Sequence, residues 1–246
     1  MTRQEFLRQF IIVRKCAKCG EILLPQLAGT AFCDSCRIEW NAALTYSCNV
    51  CLKSAIECDC MPKALSSAGA LCLRRVFFYD KDKSYSAPMS TIFWLKYKKS
   101  KRMVSFIGEY VAQSVSDELK SFGYPENLDS FIVTHVPRSR RAKALYGFDQ
   151  SKMLARNVAK RIGVKCLSVF GSASKKQQKS LSTKARMANA KKSIAVREKV
   201  DVRGKYVVLI DDVVTTGASM ASCVSLLRKQ GARGILCFAL TSKNNK

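Results

Sequence analysis

The chain has 246 residues, with 43 Lys and Arg against 18 Asp and Glu, for a formal net charge of +25. Its 48% hydrophobic and 25% charged content, with 5 Pro and 12 Gly, is that of a globular protein and excludes disordered and collagen-like classes. A field of this sign attracts polyanions whatever the fold beneath it, nucleic acid ahead of acidic membrane, the plain alternative being a basic but inert surface.

At the amino end the apolar run Phe6–Val13 is interrupted by Arg8 and followed by Lys15 and a Cys pair, which argues against a cleaved targeting signal. No stretch is apolar over the roughly 18–20 residues of a membrane span. The expectation is a cytoplasmic protein with access to the inner face of the cytoplasmic membrane. Eight of the 12 cysteines then fall in pairs: Cys16/Cys19, Cys33/Cys36, Cys48/Cys51 and Cys58/Cys60. A C-x-x-C turn presents two thiolates to one metal, and two such turns close a tetrahedral zinc shell. The simplest partition joins Cys16, Cys19, Cys33 and Cys36 across a 13-residue insert, and Cys48, Cys51, Cys58 and Cys60 in a tighter knuckle. An interleaved pairing is chemically equal, and the C-x-C could leave the second group without metal. A disulfide framework would use the same cysteines, but cytosolic thiols stay reduced. Four ligands leave no open position, so the expected Zn2+, one or two ions, is structural. Residues 1–65 are expected to form this zinc module and residues 66–246 the main domain.

Arg74–Tyr79 reads as a strand, and Ser90–Lys120 as one or two helices carrying Trp94, Leu95, Phe106, Ile107 and Val111. Within that stretch Lys96, Lys98, Lys99, Lys101 and Arg102 place five bases in seven residues around Tyr97. Taken singly, such a run is as readily a solvated helix face as a nucleic-acid contact. Phe131–His135 is a short apolar strand, followed by the cluster Arg138, Arg140, Arg141 and Lys143. His135, the single histidine, is read as structural rather than catalytic. Asp149–Ile162 sets Met153, Leu154, Val158 and Ile162 on one helical face, and Lys165–Phe170 reads as a strand. Residues 171–193 lapse into polar sequence with seven bases and no acid, among them Lys175, Lys176, Lys179, Lys184 and Arg186. A basic flap anchored at Leu181, Arg186 and Asn189 is the expected form, with a linker as the alternative. Tyr97, Tyr146 and Phe148, set among these bases, are rings on which the bases of a single strand could stack.

The carboxyl-terminal third supplies a buried strand at Tyr206–Ile210, a helix at Ser219–Lys229 and a strand at Gly234–Leu240. Alternation of this kind implies an α/β fold, a largely parallel sheet with helices on both faces, whose ligands bind beyond the carboxyl ends of the strands. The strand Tyr206–Ile210 runs into Asp211, Asp212, Val213 and Val214 and then Thr215, Thr216, Gly217, Ala218 and Ser219, where a helix opens. Backbone N–H groups at such a turn are unpaired and suit a phosphate monoester, and the hydroxyls of Thr215, Thr216 and Ser219 add donors. Asp211 and Asp212 are acceptors within reach of the ribose hydroxyls of a bound 5-phosphate. An acidic strand end before an ordinary capped helix is the competing explanation. No G-x-x-x-x-G-K-[ST] is present, which argues against a nucleotide-triphosphate loop.

The stretch YVVLIDDVVTTGAS resembles the signature of type I phosphoribosyltransferases, whose ligand is phosphoribosyl pyrophosphate with Mg2+. The order of further motifs resembles the ComF family of competence proteins across nearly the whole chain. These are the Cys pairs, Leu95-Lys96-Tyr97, Val136-Pro137, Gly147-Phe148-Asp149-Gln150, and Gln178 and Leu181 with Arg186 and Asn189. Tyr146 stands where the family usually has Arg, which removes one anion contact. The resemblance implies that Pro137–Arg141 faces the pyrophosphate and that the stretch from Lys175 to Arg186 covers it. Asp211 and Asp212 would hold the sugar in any catalysis, while Mg2+ and the bases neutralise the departing pyrophosphate. It also implies a role in natural transformation, binding single-stranded DNA as it enters the cytoplasm, alongside other DNA-uptake or recombination proteins. Two rivals stand beside it: an active phosphoribosyltransferase of nucleotide salvage, and a non-catalytic sensor of phosphoribosyl pyrophosphate. No residue pattern identifies an acceptor pocket, so turnover is left open.

Overall fold

The computed structural model of the chain describes residues 14–24, 30–79, 85–138, 147–172, 194–197 and 200–244. In chain order its elements are α1 (Asp34–Leu44), α2 (Lys63–Ala68), β1 (Cys72–Tyr79), α3 (Ala87–Tyr97), α4 (Lys101–Leu119), β2 (Phe131–His135) and α5 (Gln150–Ile162). They continue with β3 (Phe170–Ser172), β4 (Ile194–Val196), β5 (Tyr206–Val214), α6 (Ala218–Lys229) and β6 (Gly234–Lys243).

Four strands form a parallel sheet in the order β1-β6-β5-β2. The central strands β5 and β6 are apolar at consecutive positions because both of their faces are covered. Val208, Ile210, Leu236, Phe238 and Leu240 pack with α4 and α5, whereas Val207, Leu209, Ile235, Cys237 and Ala239 pack with α2 and α6. The expected α/β class, with helices on both faces of a parallel sheet, is therefore the observed one. No helix among the described residues is long and apolar enough to cross a membrane.

The expected helical stretch Ser90–Lys120 is two helices. Ser100 breaks it by accepting from the Met103 N–H, an N-cap that starts α4. α4 and α5 approach closely at Gly108, where an added Cβ would lie 2.0 Å from Asn157 Oδ1. α5 begins where its sequence predicts, since the Asp149 side chain accepts from the Lys152 N–H, and it ends at Gly163 in the left-handed region.

β1 opens at Cys72 ahead of the expected Arg74 and β6 runs past the expected Leu240 to Lys243, and two further strand expectations need correction. Lys165–Phe170 is not a ladder strand: it touches β2 through one isolated bridge, Val133 to Cys166, and the strand proper is Phe170–Ser172, antiparallel to β4 in a separate two-stranded sheet. β5 runs on to Val214 instead of stopping at Ile210, because Asp211, Val213 and Val214 continue the pairing with Ala239, Thr241 and Ser242 of β6.

Aromatic packing attaches the amino-terminal cysteines to the sheet. Phe32 and Trp40 are buried, and Trp40 lies 5.7 Å from Phe77 and 5.2 Å from both Phe106 and Tyr110, measured between ring centroids. Trp94 Nε1 donates to the Ala17 carbonyl at 2.8 Å, and Lys18 pairs with Glu39.

Candidate functional site

β5 delivers Asp211 and Asp212 to the carboxyl end of the sheet, and the chain then turns through Thr215, Thr216 and Gly217 into α6. Gly217 is the N-cap at φ 72 and has no side chain with which to cap the helix. An added Cβ there would meet Leu65 at 3.2 Å and Pro62 at 3.3 Å, so glycine is required both by backbone conformation and by the approach of α2. Thr215, Thr216, Ala218 and Ser219 are exposed. Thr216 Oγ1 accepts from the Ala218 N–H at 3.4 Å. Ser219 lies inside the first turn instead of opening the helix. The first N–H groups of α6 have no intrahelical partner, and the positive end of its dipole faces the strand end. Such a helix start suits an anion.

The two carboxylates are held by the amino end of α5. Gln150 Nε2 donates to Asp212 Oδ2 at 2.7 Å, and Ser151 Oγ donates to Asp211 Oδ1 at 2.9 Å. Backbone N–H groups of Asp212 and Val213 donate to Asp211 Oδ1 and Asp212 Oδ1, both at 2.9 Å. Each carboxylate oxygen carries two lone pairs, so acceptor capacity for ligand hydroxyls remains. Burial, and then the neighbouring Asp212 charge, hold the Asp211 carboxyl well above the usual aspartate range. Gln150 is 5% exposed and its Oε1 has no hydrogen-bond partner among the described residues, an unmet acceptor beside Asp212.

His135 ends β2 next to this group, 4% exposed, with Nε2 3.9 Å from Asp149 Oδ2. Asp149 is thus shared between the cap of α5, the Arg138 N–H at 3.4 Å and His135. This fits a structural histidine. Arg138, the one expected pyrophosphate contact that is described, also directs its guanidinium to the Phe148 carbonyl at 3.5 Å. Arg140, Arg141 and Lys143 lie outside the described residues, as do Tyr146, Leu181, Asn189 and the flap bases Lys175, Lys176, Lys179, Lys184 and Arg186.

The cysteines gather in the simplest partition. Sγ atoms of Cys16, Cys19, Cys33 and Cys36 lie within 4.8 Å of one another, and so do those of Cys48, Cys51, Cys58 and Cys60. Cys19 and Cys33 are 3.6 Å apart and Cys51 and Cys58 3.5 Å, near the about 3.8 Å edge of a zinc–thiolate tetrahedron and far from the roughly 2 Å of a disulfide. All 12 cysteines are free. Both groups can hold a metal ion and suit structural zinc. Burial acts to raise the Cys48 thiol, but backbone donation from Cys51 and Val50 outweighs it and brings the group down to about 7, and Cys16 behaves likewise. Burial pushes Cys33, Cys36, Cys58 and Cys60 up instead, so a metal bound at either group displaces protons from its thiols.

The second group is fastened to β1 by two adjacent arginines that sequence reading passed over as strand charges. Arg75, 2% exposed, donates to Cys58 Sγ at 3.4 Å and to the Cys60 and Leu73 carbonyls at 2.5 and 2.7 Å. Arg74 reaches the Cys58 carbonyl at 3.3 Å and the carboxylates of Asp59 and Glu118 at 2.6 and 2.7 Å. Of the first basic run, Lys98, Lys99 and Lys101 are exposed and Lys96 half-buried. Arg102 is half-buried, and its guanidinium donates to the Lys15 carbonyl at 2.6 Å, which ties α4 to the first cysteine group.

The phosphoribosyl transferase domain family matches residues 149–246, the span that contains α5, β5, α6 and β6. Over 159 residues the chain is 30% identical to the DNA utilization protein YhgH of Salmonella typhi, covering 63% of this chain and 68% of that protein. It belongs to the ComF family. A shorter likeness, 50% over 40 residues, links this ComF protein to the ribose-phosphate pyrophosphokinase of Thermococcus kodakarensis, covering 16% of the chain and 14% of that enzyme. The solved structure of TT1426 from Thermus thermophilus overlaps the ComF chain at 18% identity and a TM-score of 0.35, across 58% of this chain and 85% of that one. The fold is that of type I phosphoribosyltransferases, with metal-capable cysteine groups toward the amino end.

Proposed function

We propose that this ComF protein binds phosphoribosyl pyrophosphate with Mg2+ at the β5–α6 turn and single-stranded DNA on its basic surface, acting in the cytoplasm during natural transformation. The observation that carries the reading is the pairing of two partly shielded carboxylates with an exposed helix start that follows them after the Thr215–Gly217 turn. A bare phosphate site needs no such acids, whereas a phosphorylated ribose presents hydroxyl donors beside its 5-phosphate. In this reading the amides and hydroxyls from Thr215 to Ser219 take the 5-phosphate, Asp211 and Asp212 accept from the ribose hydroxyls, and Arg138 with its neighbours faces the pyrophosphate. Mg2+ supplies charge neutralisation at the pyrophosphate when bound. Zn2+ is the metal assigned to both cysteine groups, since four thiolates select it over harder ions.

The DNA component is supported by the charge of +25 and by relatives named for DNA utilization. Calorimetric titration of phosphoribosyl pyrophosphate with Mg2+ tests the ligand: binding is expected in the parent chain and lost in the double variant Asp211→Ala, Asp212→Ala, and unchanged affinity overturns the assignment. Anisotropy titration of a labelled single-stranded oligonucleotide tests the second component. Absence of binding at about 100 mM salt, where the Debye length is near 10 Å, removes DNA from the reading.

A further inference from the structure

The exposed face of α3 is built from rings and bases. Phe93 and Tyr97 are 47% and 50% exposed, their ring centroids are 5.2 Å apart and their planes are inclined at 43°. Residues four apart share one face of a helix, so the two rings make a continuous apolar plate. The other face fixes the helix: Thr91, Ile92 and Leu95 are buried, and the Trp94 indole is held by Ala17. The plate therefore points at solvent on a rigid support.

Positive charge surrounds it. Lys98 Nζ lies 5.8 Å from the Phe93 ring centroid. Lys99 turns the corner into α4 at φ 46, a left-handed backbone uncommon for a residue with a Cβ. Lys98, Lys99 and Lys101 are exposed. From Tyr85 to Gly108 the sequence holds no Asp or Glu, so nothing within α3 or the start of α4 offsets this charge.

A ligand for such a surface must present flat π faces and regularly spaced negative charge together. Unpaired bases on a phosphodiester backbone do so, whereas a duplex hides its base faces inside the stack. We infer that the α3–α4 corner is a stacking platform for single-stranded nucleic acid, with bases against Phe93 and Tyr97 and phosphates on Lys98, Lys99 and Lys101. The inference rests on the single-strand reading above and adds the place and the mode of contact, on elements other than those of the phosphoribosyl cradle.

The experiment uses the full chain and a labelled homopyrimidine oligonucleotide, titrated at several salt concentrations beside a duplex of equal length. Phe93→Ala with Tyr97→Ala is expected to weaken single-strand binding about tenfold or more at every salt concentration, because stacking is lost. The slope of log affinity against log salt should stay that of the parent, since no phosphate contact is removed. Replacing Lys98, Lys99 and Lys101 by Gln should instead flatten that slope by about 2, the share of three phosphate contacts on a single strand. Phe93→Trp should retain binding, with its added indole fluorescence quenched as the oligonucleotide binds. Parental affinity in the double alanine variant, or an equal loss for the duplex, overturns the platform while leaving the single-strand reading in place. Failure of the parent to bind any single strand overturns both, and binding of anionic vesicles in place of the oligonucleotide does the same in favour of a membrane surface.

Discussion

Gln150 Nε2 donates to Asp212 Oδ2 at 2.7 Å across 62 residues of sequence, which makes the first turn of α5 part of the acidic end of β5. Replacing Gln150 with Leu leaves a buried carboxylate short of a donor. Such a loss costs about 1–3 kcal/mol, and the expected outcome is an unfolding free energy lowered by that amount in denaturant titration, together with weaker phosphoribosyl pyrophosphate binding in calorimetry. A variant as stable as the parent would show that the bond does not hold Asp212.

Asp211 carries a pH signature. Its carboxyl is raised by burial and by Asp212, so the folded chain keeps a proton that the unfolded chain has already released. The contribution of this group to stability is therefore full below the ordinary aspartate range and declines as pH rises toward its folded value. Asp211→Asn removes the decline. The expected result, read by thermal unfolding between about pH 4 and 8, is a variant that gains on the parent as pH rises while losing affinity for the sugar phosphate. An identical pH profile in the two proteins would contradict the placement of the charge.

For the metals, elemental analysis of the parent chain should give two zinc ions, one for each cysteine group. Arg75→Met keeps the bulk of the side chain but removes its donation to Cys58, so its expected effect is faster loss of one ion to a chelator while the other is retained. With cobalt in place of zinc, the thiolate absorption should fall by about half in step with that loss. Equal release of both ions would mean that Arg75 contributes packing alone.

Gly217→Ala tests the turn itself. Its φ of 72 and the contacts at 3.2 and 3.3 Å that a Cβ would make with Leu65 and Pro62 predict a cost of about 1 kcal/mol or more. Phosphate-dependent stabilisation should fall as well, because the amides of Ala218 and Ser219 shift with the turn. Thermal shift with and without ligand reads both effects.

Much of the fold was legible where one residue pattern had one physical meaning. Phe131–His135 is a short apolar run fully buried between neighbours, and its ends were readable to the residue. Spacing offered the cysteine partition as the simplest choice beside an interleaved one, and the folded chain gathers the simplest. The extension of β5 was not legible, since Asp211 and Asp212 have poor strand propensity and keep extended geometry only through pairing with β6 and donors from α5. The same long-range origin hid Ser151, whose partner lies 60 residues away. A basic run does not reveal which member bonds the backbone of another element, as Arg102 does with Lys15, and Phe93 was overlooked because an apolar residue in a helix is ordinarily core.

The second cysteine group is bound to distant parts of the chain. Arg74 and Arg75 reach it from β1, β1 pairs only with β6 in the sheet, and Asn244, just past β6, donates to the Ser47 carbonyl at 3.2 Å and accepts from the Asn49 N–H at 3.1 Å. During synthesis the ligands leave the ribosome early, but the surface that cradles them waits for the final strand. Contacts of such sequence separation form slowly. The Asn244 contacts of the knuckle thus depend on β6 being in place, whereas those of Arg75 are local to it.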